Sequence, residues 1–337
     1  MGVVFHRGPL QSSRRKTLFV CLPEGDLMNV WITGANGFIG RYLARELADA
    51  GHAVHGIGHG AIGDPEQRQI GLRSWLNGEI DAANLNTMAS EHGMPSKVFH
   101  LAGGSSVGLS IALPLEDFSR TVASTARLLE WLRGAAPESR LIVTSSAAVY
   151  GAEHPGPIAE NAVLAPMSPY GQHKLMMEQL CQSYGFTFGV RSTVVRLFSV
   201  YGARLRKQLL WDICNRLAQG ERRLMLGGTG EEIRDWTNVR DVVRLLARLG
   251  DQPQQEMQRV INGGSGRGTS VAEVANLLVK YWGGEVNVGY SGIVRAGDPF
   301  SLLAEDGELR KVAFDWQIPV DKGLEDYVRW FKGQNVG

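Results

Sequence analysis

Asn29 to Gly40, NVWITGANGFIG, joins a short apolar, β-prone run (Val30, Trp31, Ile32) to three spaced glycines, and the amphipathic pattern RYLARELADAG follows directly. The spacing predicts a buried strand that turns sharply into a helix. Gly34 suits the backbone angles of the tight turn, Gly37 lets the main chain approach a diphosphate, and Gly40 lets helix and strand pack closely. The free amides at the helix N-terminus then face an anion. Three glycines alone are weak evidence in a chain that holds 42. The strand before them and the helix after them make this a dinucleotide-binding turn.

Working outward, His52–Ile57, Leu76–Ile80, Lys97–Leu101, Leu141–Thr144 and Val190–Leu197 read as further strands. Helical patterns separate them, including Asp81–His92 and a long stretch from Pro114 through Arg133. Strands alternating with helices at this spacing predict an α/β fold with a doubly wound parallel sheet, whose ligands lie outside the carboxyl ends of the strands. Beyond Gly202 no strand-glycine-helix unit recurs, so residues 203–337 are expected to form mainly a smaller α/β lobe that closes over a substrate. The expected division is therefore a dinucleotide-binding domain over 28–202 and a substrate lobe over 203–337, with a discontinuous boundary.

Residues 1–27 stand in front of Met28 and are expected to be a poorly packed extension, because a nucleotide-binding strand of this kind usually opens its domain. The chain has 337 residues and 44% hydrophobic content, enough for a sizeable core. A formal charge of +1 gives no electrostatic case for nucleic acid or an anionic membrane, so any anion site must be local. Cys21, Cys181 and Cys214 are few and far apart, which excludes a disulfide framework or a zinc spacing. No apolar run reaches the roughly 18–20 residues that cross a bilayer, and a cytoplasmic protein is expected.

Two stretches carry the chemistry. Tyr170 and Lys174 are four residues apart in a predicted helix beginning near Ser168-Pro169, which puts them on one face. An ammonium there favours phenolate, so a tyrosine whose ordinary pKa is about 10 becomes a base nearer neutrality. Thr144-Ser145-Ser146 ends the fifth predicted strand at the ligand edge. Ser146 is the expected hydroxyl partner on the reacting oxygen, with Ser145 as the alternate. The loop Gly58-His59-Gly60 follows the second strand where an acid usually holds the adenosine ribose. That acid is missing, so either NAD or NADP is allowed and NADP is slightly favoured, with His59 and Arg68 as phosphate contacts.

In order along the chain stand TGANGFIG (33–40), HLAG (100–103), PLE (114–116), SSAAVYG (145–151), SPYGQHK (168–174), RLFSVYG (196–202), GTGEEIRDWTNVRD (228–241) and VRAGD (294–298). With these motifs the sequence resembles the extended short-chain dehydrogenase/reductase superfamily, and within it the nucleotide-sugar epimerase/dehydratase family typified by UDP-glucose 4-epimerase. The resemblance implies that Gly34, Gly37, Phe38, Ile39 and Gly40 hold the cofactor diphosphate. It implies that Glu79 and Ile80 flank the adenine and that Leu101, Ala102 and Gly103 line the cofactor. Tyr170 and Lys174 would be base and modulator, and Ser146 the second catalytic hydroxyl. On the substrate side it implies Ser105, Ser199, Arg234, Arg295 and Asp298, with the guanidiniums clamping a diphosphate in forked hydrogen bonds.

Thr121 and Ser199 depart from the family pattern, where each place is usually Asn. Ala147-Ala148 stands where family dehydratases carry an acidic pair, and without a carboxyl group elimination of water lacks its acid and base. The expected activity is an NAD(P)-dependent 4-epimerase of a nucleotide-diphosphate sugar, UDP-, GDP- or dTDP-linked. The rival readings are an NADPH-dependent 4-keto-6-deoxy sugar reductase and a non-catalytic dinucleotide sensor. The resemblance also implies a homodimer through the Pro114 and Tyr170 helices.

Overall fold

The first strand, β1 (Asn29–Thr33), is buried along almost its whole length, as its run of Val30, Trp31 and Ile32 requires. A computed structural model describes residues 28–253, 256–293 and 299–334 of the chain. Five further strands follow: β2 (Ala53–Gly58), β3 (Ser74–Asn77), β4 (Lys97–His100), β5 (Arg140–Ser146) and β6 (Ser192–Leu197). With the strand Gln258–Gly263 they make one seven-stranded sheet, in the order Gln258–Gly263, β6, β5, β4, β1, β2, β3. Every neighbouring pair is parallel. β1 has β2 on one side and β4 on the other, so the strand order reverses there and a crevice opens at the carboxyl ends of β1 and β4.

Helix α1 (Phe38–Asp49) buries Leu43, Ala44 and Leu47 against the sheet. The same apolar cluster contains Val242, Leu245, Leu246 and Leu249 from the helix Val239–Asp251. That helix and the strand Gln258–Gly263 both come after Gly202, so the chain returns to the dinucleotide-binding layer instead of leaving it at 202. Opposite the sheet edge, Ile233–Asn238 pairs with Ser199–Tyr201, Gly268–Ser270 and Ser301–Leu302. A separate core of Tyr201, Leu210, Ile213, Val274, Leu278 and Tyr327 supports this lobe.

Two elements differ from their expected form. The third strand is Ser74–Asn77 and stops short of Ile80: Gly78 makes its last ladder bond to the Gly58 carbonyl, and the Asp81 side chain then caps the helix Ala82–His92. The long helix after Pro114 is three pieces, Pro114–Phe118, a π-helical turn Ser119–Ala123, and Ser124–Ala135. Cys181 and Cys214 are free and buried, and Cys21 with the rest of 1–27 lies outside the described residues. Among the described residues no helix is long and apolar enough to cross a membrane.

A Cβ at Gly40 would stand 2.3 Å from the Gly34 carbonyl oxygen and 2.7 Å from Ala35 Cα, both backbone atoms. Gly40→Ala is therefore expected to destabilise the chain by about 1–3 kcal/mol or more. Gly134, which lies in a helix with no atom near its added Cβ, gives the opposite sign. Gly134→Ala is expected to stabilise by roughly 0.5–1 kcal/mol. Chemical denaturation of both variants checks the contrast, and equal effects would contradict the close packing at Gly40.

Candidate active site

The glycine turn comes first because it sets the floor of the crevice. Gly34 adopts φ +73°, and its N–H donates to the Ile57 carbonyl at 2.7 Å. A Cβ there would lie 2.8 Å from the Ala102 nitrogen, so the loop after β4 rests directly on the turn. Helix α1 starts at Gly37 with no side-chain cap and no acidic residue in its first turn. Its first amides are thus left for an anion, and the backbone cradle leaves no room for a side chain. These features fit a dinucleotide diphosphate. Phe38, Ile39, Leu101 and Gly103 line the cavity that runs on from the turn.

At the outer end of this crevice Asn36 donates to the His59 carbonyl, and Trp75 Nε1 to the Gly60 carbonyl. His59 Nε2 lies 3.5 Å from Glu79, and Arg41 is paired with Glu66 while also holding Asn36. The chain thus has no acid at Gly58 or His59, yet His59 and Arg41 each face a carboxylate. Ile80 is buried in the core, 5% exposed, while Glu79 is exposed. The Arg68 side chain is the last basic group of the short helix Asp64–Gln69.

Beyond the turn the cavity widens to about 720 Å³, within the range of ligand sites. Ser168 caps the helix Pro169–Phe188, with Pro169 at its first position, and this sets Tyr170 and Lys174 at the cavity wall. Ser146, the last residue of β5, lines the same cavity as Tyr170, close enough for its hydroxyl to lower the phenol pKa. Lys174 is 4% exposed and donates from Nζ to the Thr144 carbonyl at 2.9 Å. Burial pushes this ammonium down to about 8, and Asp117 and Glu178 pull the other way. Burial pushes the Tyr170 phenol up, the Ser146 hydrogen bond lowers it, and Asp117 raises it. The expected lowering of the phenol by Lys174 is thus not what the chain by itself displays. The ammonium is turned to the strand carbonyl and lies 6.0 Å from the phenol ring centre.

Ser145 lines the cavity as well, but its hydroxyl is already engaged. Adjacent strand residues point to opposite faces, and its Oγ donates to Glu178, which is itself bonded to Arg196. Arg196 continues to the Tyr150 hydroxyl at 2.9 Å and the Glu160 carbonyl at 2.8 Å. The result is a buried polar network behind the site. Thr121 also has a role the sequence pattern left open. Raised by the π-helical turn, its Oγ1 accepts from the Gly104 N–H at 2.8 Å and holds the loop 102–105.

The same cavity is lined by Ser105, Ser199 and Arg234, together with Lys207, Arg216 and Trp236, which the sequence did not single out. Arg295 and Asp298 lie outside the described residues. Asp117 and His173 were also missed. They form a buried pair, Oδ2 to Nδ1 at 2.6 Å, and Asp117 packs so tightly on Gly104 that a Cβ there would meet Oδ1 at 1.7 Å. The available signal was an ionisable residue next to PLE (Asp117) and one inside SPYGQHK (His173).

Comparison with known proteins agrees with this geometry. The model of the NAD dependent epimerase/dehydratase family matches residues 30–264. A UDP-glucose 4-epimerase of Azospirillum brasilense is 30% identical over 317 residues, 89% of this chain and 90% of that protein. A UDP-glucose 4-epimerase solved with UDP-glucose from Thermotoga maritima superposes with a TM-score of 0.82 at 26% identity, covering 91% of this chain and 100% of that one. MoeE5 in complex with UDP-glucuronic acid and NAD gives 0.81 at 29% identity, covering 91% and 99%.

The depressed Lys174 ammonium has a thermodynamic signature. Between about pH 8 and the ordinary lysine value of 10.5 the unfolded chain binds more protons there than the folded one, so stability rises with pH across that window. The melting temperature of the wild type minus that of Lys174→Met is expected to grow from pH 8 to 10.5. A difference that stays flat would mean that the ammonium is not desolvated.

Proposed function

The chain belongs to the NAD-dependent epimerase/dehydratase family, and on that premise we propose that it is a 4-epimerase of UDP-linked hexoses that works with bound NAD. The observation that carries the reading is the convergence of Ser146, Tyr170 and Lys174 on one cavity together with Arg234. Gly34, Gly37 and the first amides of α1 would hold the cofactor diphosphate, with Leu101 and Gly103 along its path. When bound, oxidised nicotinamide supplies reversible hydride uptake at the sugar carbon and a positive charge beside the phenol.

The residues of the chain do the rest. Burial keeps Tyr170 protonated in the chain alone, and positive charge in the cavity favours the phenolate that accepts the C4 hydroxyl proton. Ser146 holds the reacting oxygen and steadies the phenol. Lys174, locked on the Thr144 carbonyl, fixes a cation one helical turn away. Arg234 grips the diphosphate while the 4-keto sugar turns, and Tyr170 returns its proton on the opposite face. Ala147 and Ala148 follow Ser146 in a short 3-10 turn with no carboxylate, which leaves dehydration without its acid and base.

NAD is preferred over NADP in this reading. The NADP preference rested on the missing acid at Gly58-His59, but His59 and Arg41 there already face Glu79 and Glu66, and a 2′-phosphate would meet those carboxylates. A homodimer is part of the proposal. Leu109, Ile111, Leu113, Leu115 and Phe118 are exposed along 107–118, and Met176 is exposed on the adjoining helix.

With NAD present, UDP-glucose is expected to convert to its 4-epimer with no net change in nicotinamide absorbance. Tyr170→Phe is expected to lower kcat by about 100-fold or more. Stoichiometric oxidation of NADPH by a 4-keto sugar would instead establish the reductase. In sizing experiments, the double variant Ile111→Glu/Leu115→Glu is expected to run as a monomer, and an unchanged elution volume would exclude this face as the interface.

A further inference from the structure

Gly103 and Gly104, in the loop after β4, are pressed by opposite charges. A Cβ on Gly103 would lie 3.3 Å from Lys174 Nζ, and a Cβ on Gly104 would meet Asp117 Oδ1 at 1.7 Å. Neighbouring residues of one turn thus touch the ammonium and the carboxylate, which brings the two charges close together. They act on each other through space, since the Nζ hydrogen bond goes to the Thr144 carbonyl and the Asp117 Oδ2 contact goes to His173. Because a carboxylate only accepts, His173 Nδ1 carries the proton in that 2.6 Å bond. The Phe118 ring stands edge-on to the imidazole at 5.5 Å and completes the clamp.

The groups around Tyr170 and Lys174 differ in how free their charge is. Glu178 accepts from Arg196 Nε at 3.1 and 3.2 Å and from Nη2 at 2.7 Å, so a guanidinium matches its charge. His100 on β4 is pushed down to about 3 by burial and is neutral. Asp117 is held by an imidazole, which can clamp a carboxylate without a charge of its own. Asp117 therefore offers the pair negative charge with the least cancellation. That charge favours the ammonium on Lys174 and disfavours a phenolate on Tyr170.

We propose that Asp117, clamped by His173 behind the Gly103-Gly104 turn, is a positioning residue whose carboxylate holds Tyr170 and Lys174 in a resting form, neutral phenol and ammonium, until positive charge enters the cavity. This rests on the 4-epimerase reading for the step it serves, and goes beyond it by naming the group that keeps the base silent in the empty site. Asp117 touches no reacting atom. It acts through Lys174 and Tyr170, and no bond is made or broken at its carboxylate.

The test reads the Lys174 ammonium in the full chain without cofactor, by carbon NMR of protein labelled at lysine Cε, with Lys174→Met to assign the resonance. The wild-type midpoint is expected at about 8, and that of Asp117→Asn about one pH unit lower. Asp117→Ser, neutral and smaller, is expected to give the same fall and serves if the amide is not tolerated. Thr121→Val frees the Gly104 N–H without removing charge and is expected to leave the midpoint in place. So is His173→Asn, which keeps an N–H for the carboxylate. An unmoved midpoint in the Asp117 variants overturns the proposal, since a mere prop for the Gly104 loop gives that result. An equal fall in Thr121→Val, or an equal displacement in His173→Asn, overturns it as well. With NAD and UDP-glucose, the pH profile of kcat in Asp117→Asn is expected to move to lower pH by a similar amount, and a profile that stays in place counts against the proposal. Absence of turnover in the wild type sinks the epimerase reading, and the NMR midpoints, which need no substrate, then decide the role of Asp117 alone.

Discussion

A buried ammonium organises this molecule. Lys174 is almost sealed from solvent and has one strand carbonyl, Thr144, as its hydrogen-bond acceptor. Taking a charge out of water costs several kcal/mol unless opposite charge and hydrogen bonds offset it. Asp117 and Glu178 supply that opposite charge from two directions, and each is itself committed elsewhere, Asp117 to His173 and Glu178 to Arg196 and Ser145. The chain of compensation thus runs from β5 and β6 through the helix Pro169–Phe188 to the segment after Pro114. The Tyr–Lys pair is held in place by this whole neighbourhood, more than by the helix that carries it.

Packing of the loop after β4 follows from the same arrangement. Asp117 can approach Gly104 only because Gly104 has no side chain, and Thr121 can reach the Gly104 N–H because the helix widens into a π turn at Ser119–Ala123. Such turns recur at functional sites because they re-aim side chains without breaking the helix. Here the turn lets one segment hold both the loop that lines the cavity and the carboxylate beside Lys174.

The local features were legible in the sequence, and the non-local ones were not. NVWITGANGFIG announces its strand, turn and helix because every constraint lies within twelve residues. The choice between Ser145 and Ser146 was also open to sequence reasoning. A strand alternates faces, so only one of the two can meet Tyr170. The π turn has no propensity signature. The strand Gln258–Gly263, QRVING, lacks a long apolar run and becomes a sheet strand only by lying beside β6. Glu178 and Arg196, or Asp117 and His173, look like ordinary surface charges until the fold buries them together.

The two ends of the crevice differ in how firmly charge can discriminate. At the outer end His59–Glu79 and Arg41–Glu66 are open to water, with side chains 59% and 62%, and 20% and 44% exposed. Pairs of this kind are worth about 0–1 kcal/mol and weaken with salt. Any bias against a 2′-phosphate that the proposed reading gives them is therefore shallow. At the inner end Glu178 and Arg196 are only 6% and 5% exposed. Removing one partner of such a pair leaves an uncompensated charge and costs about 3–5 kcal/mol. On the proposed reading, the pairs at the outer end are the adjustable part of the crevice, whereas the geometry around Tyr170 and Lys174 changes only at the expense of the fold.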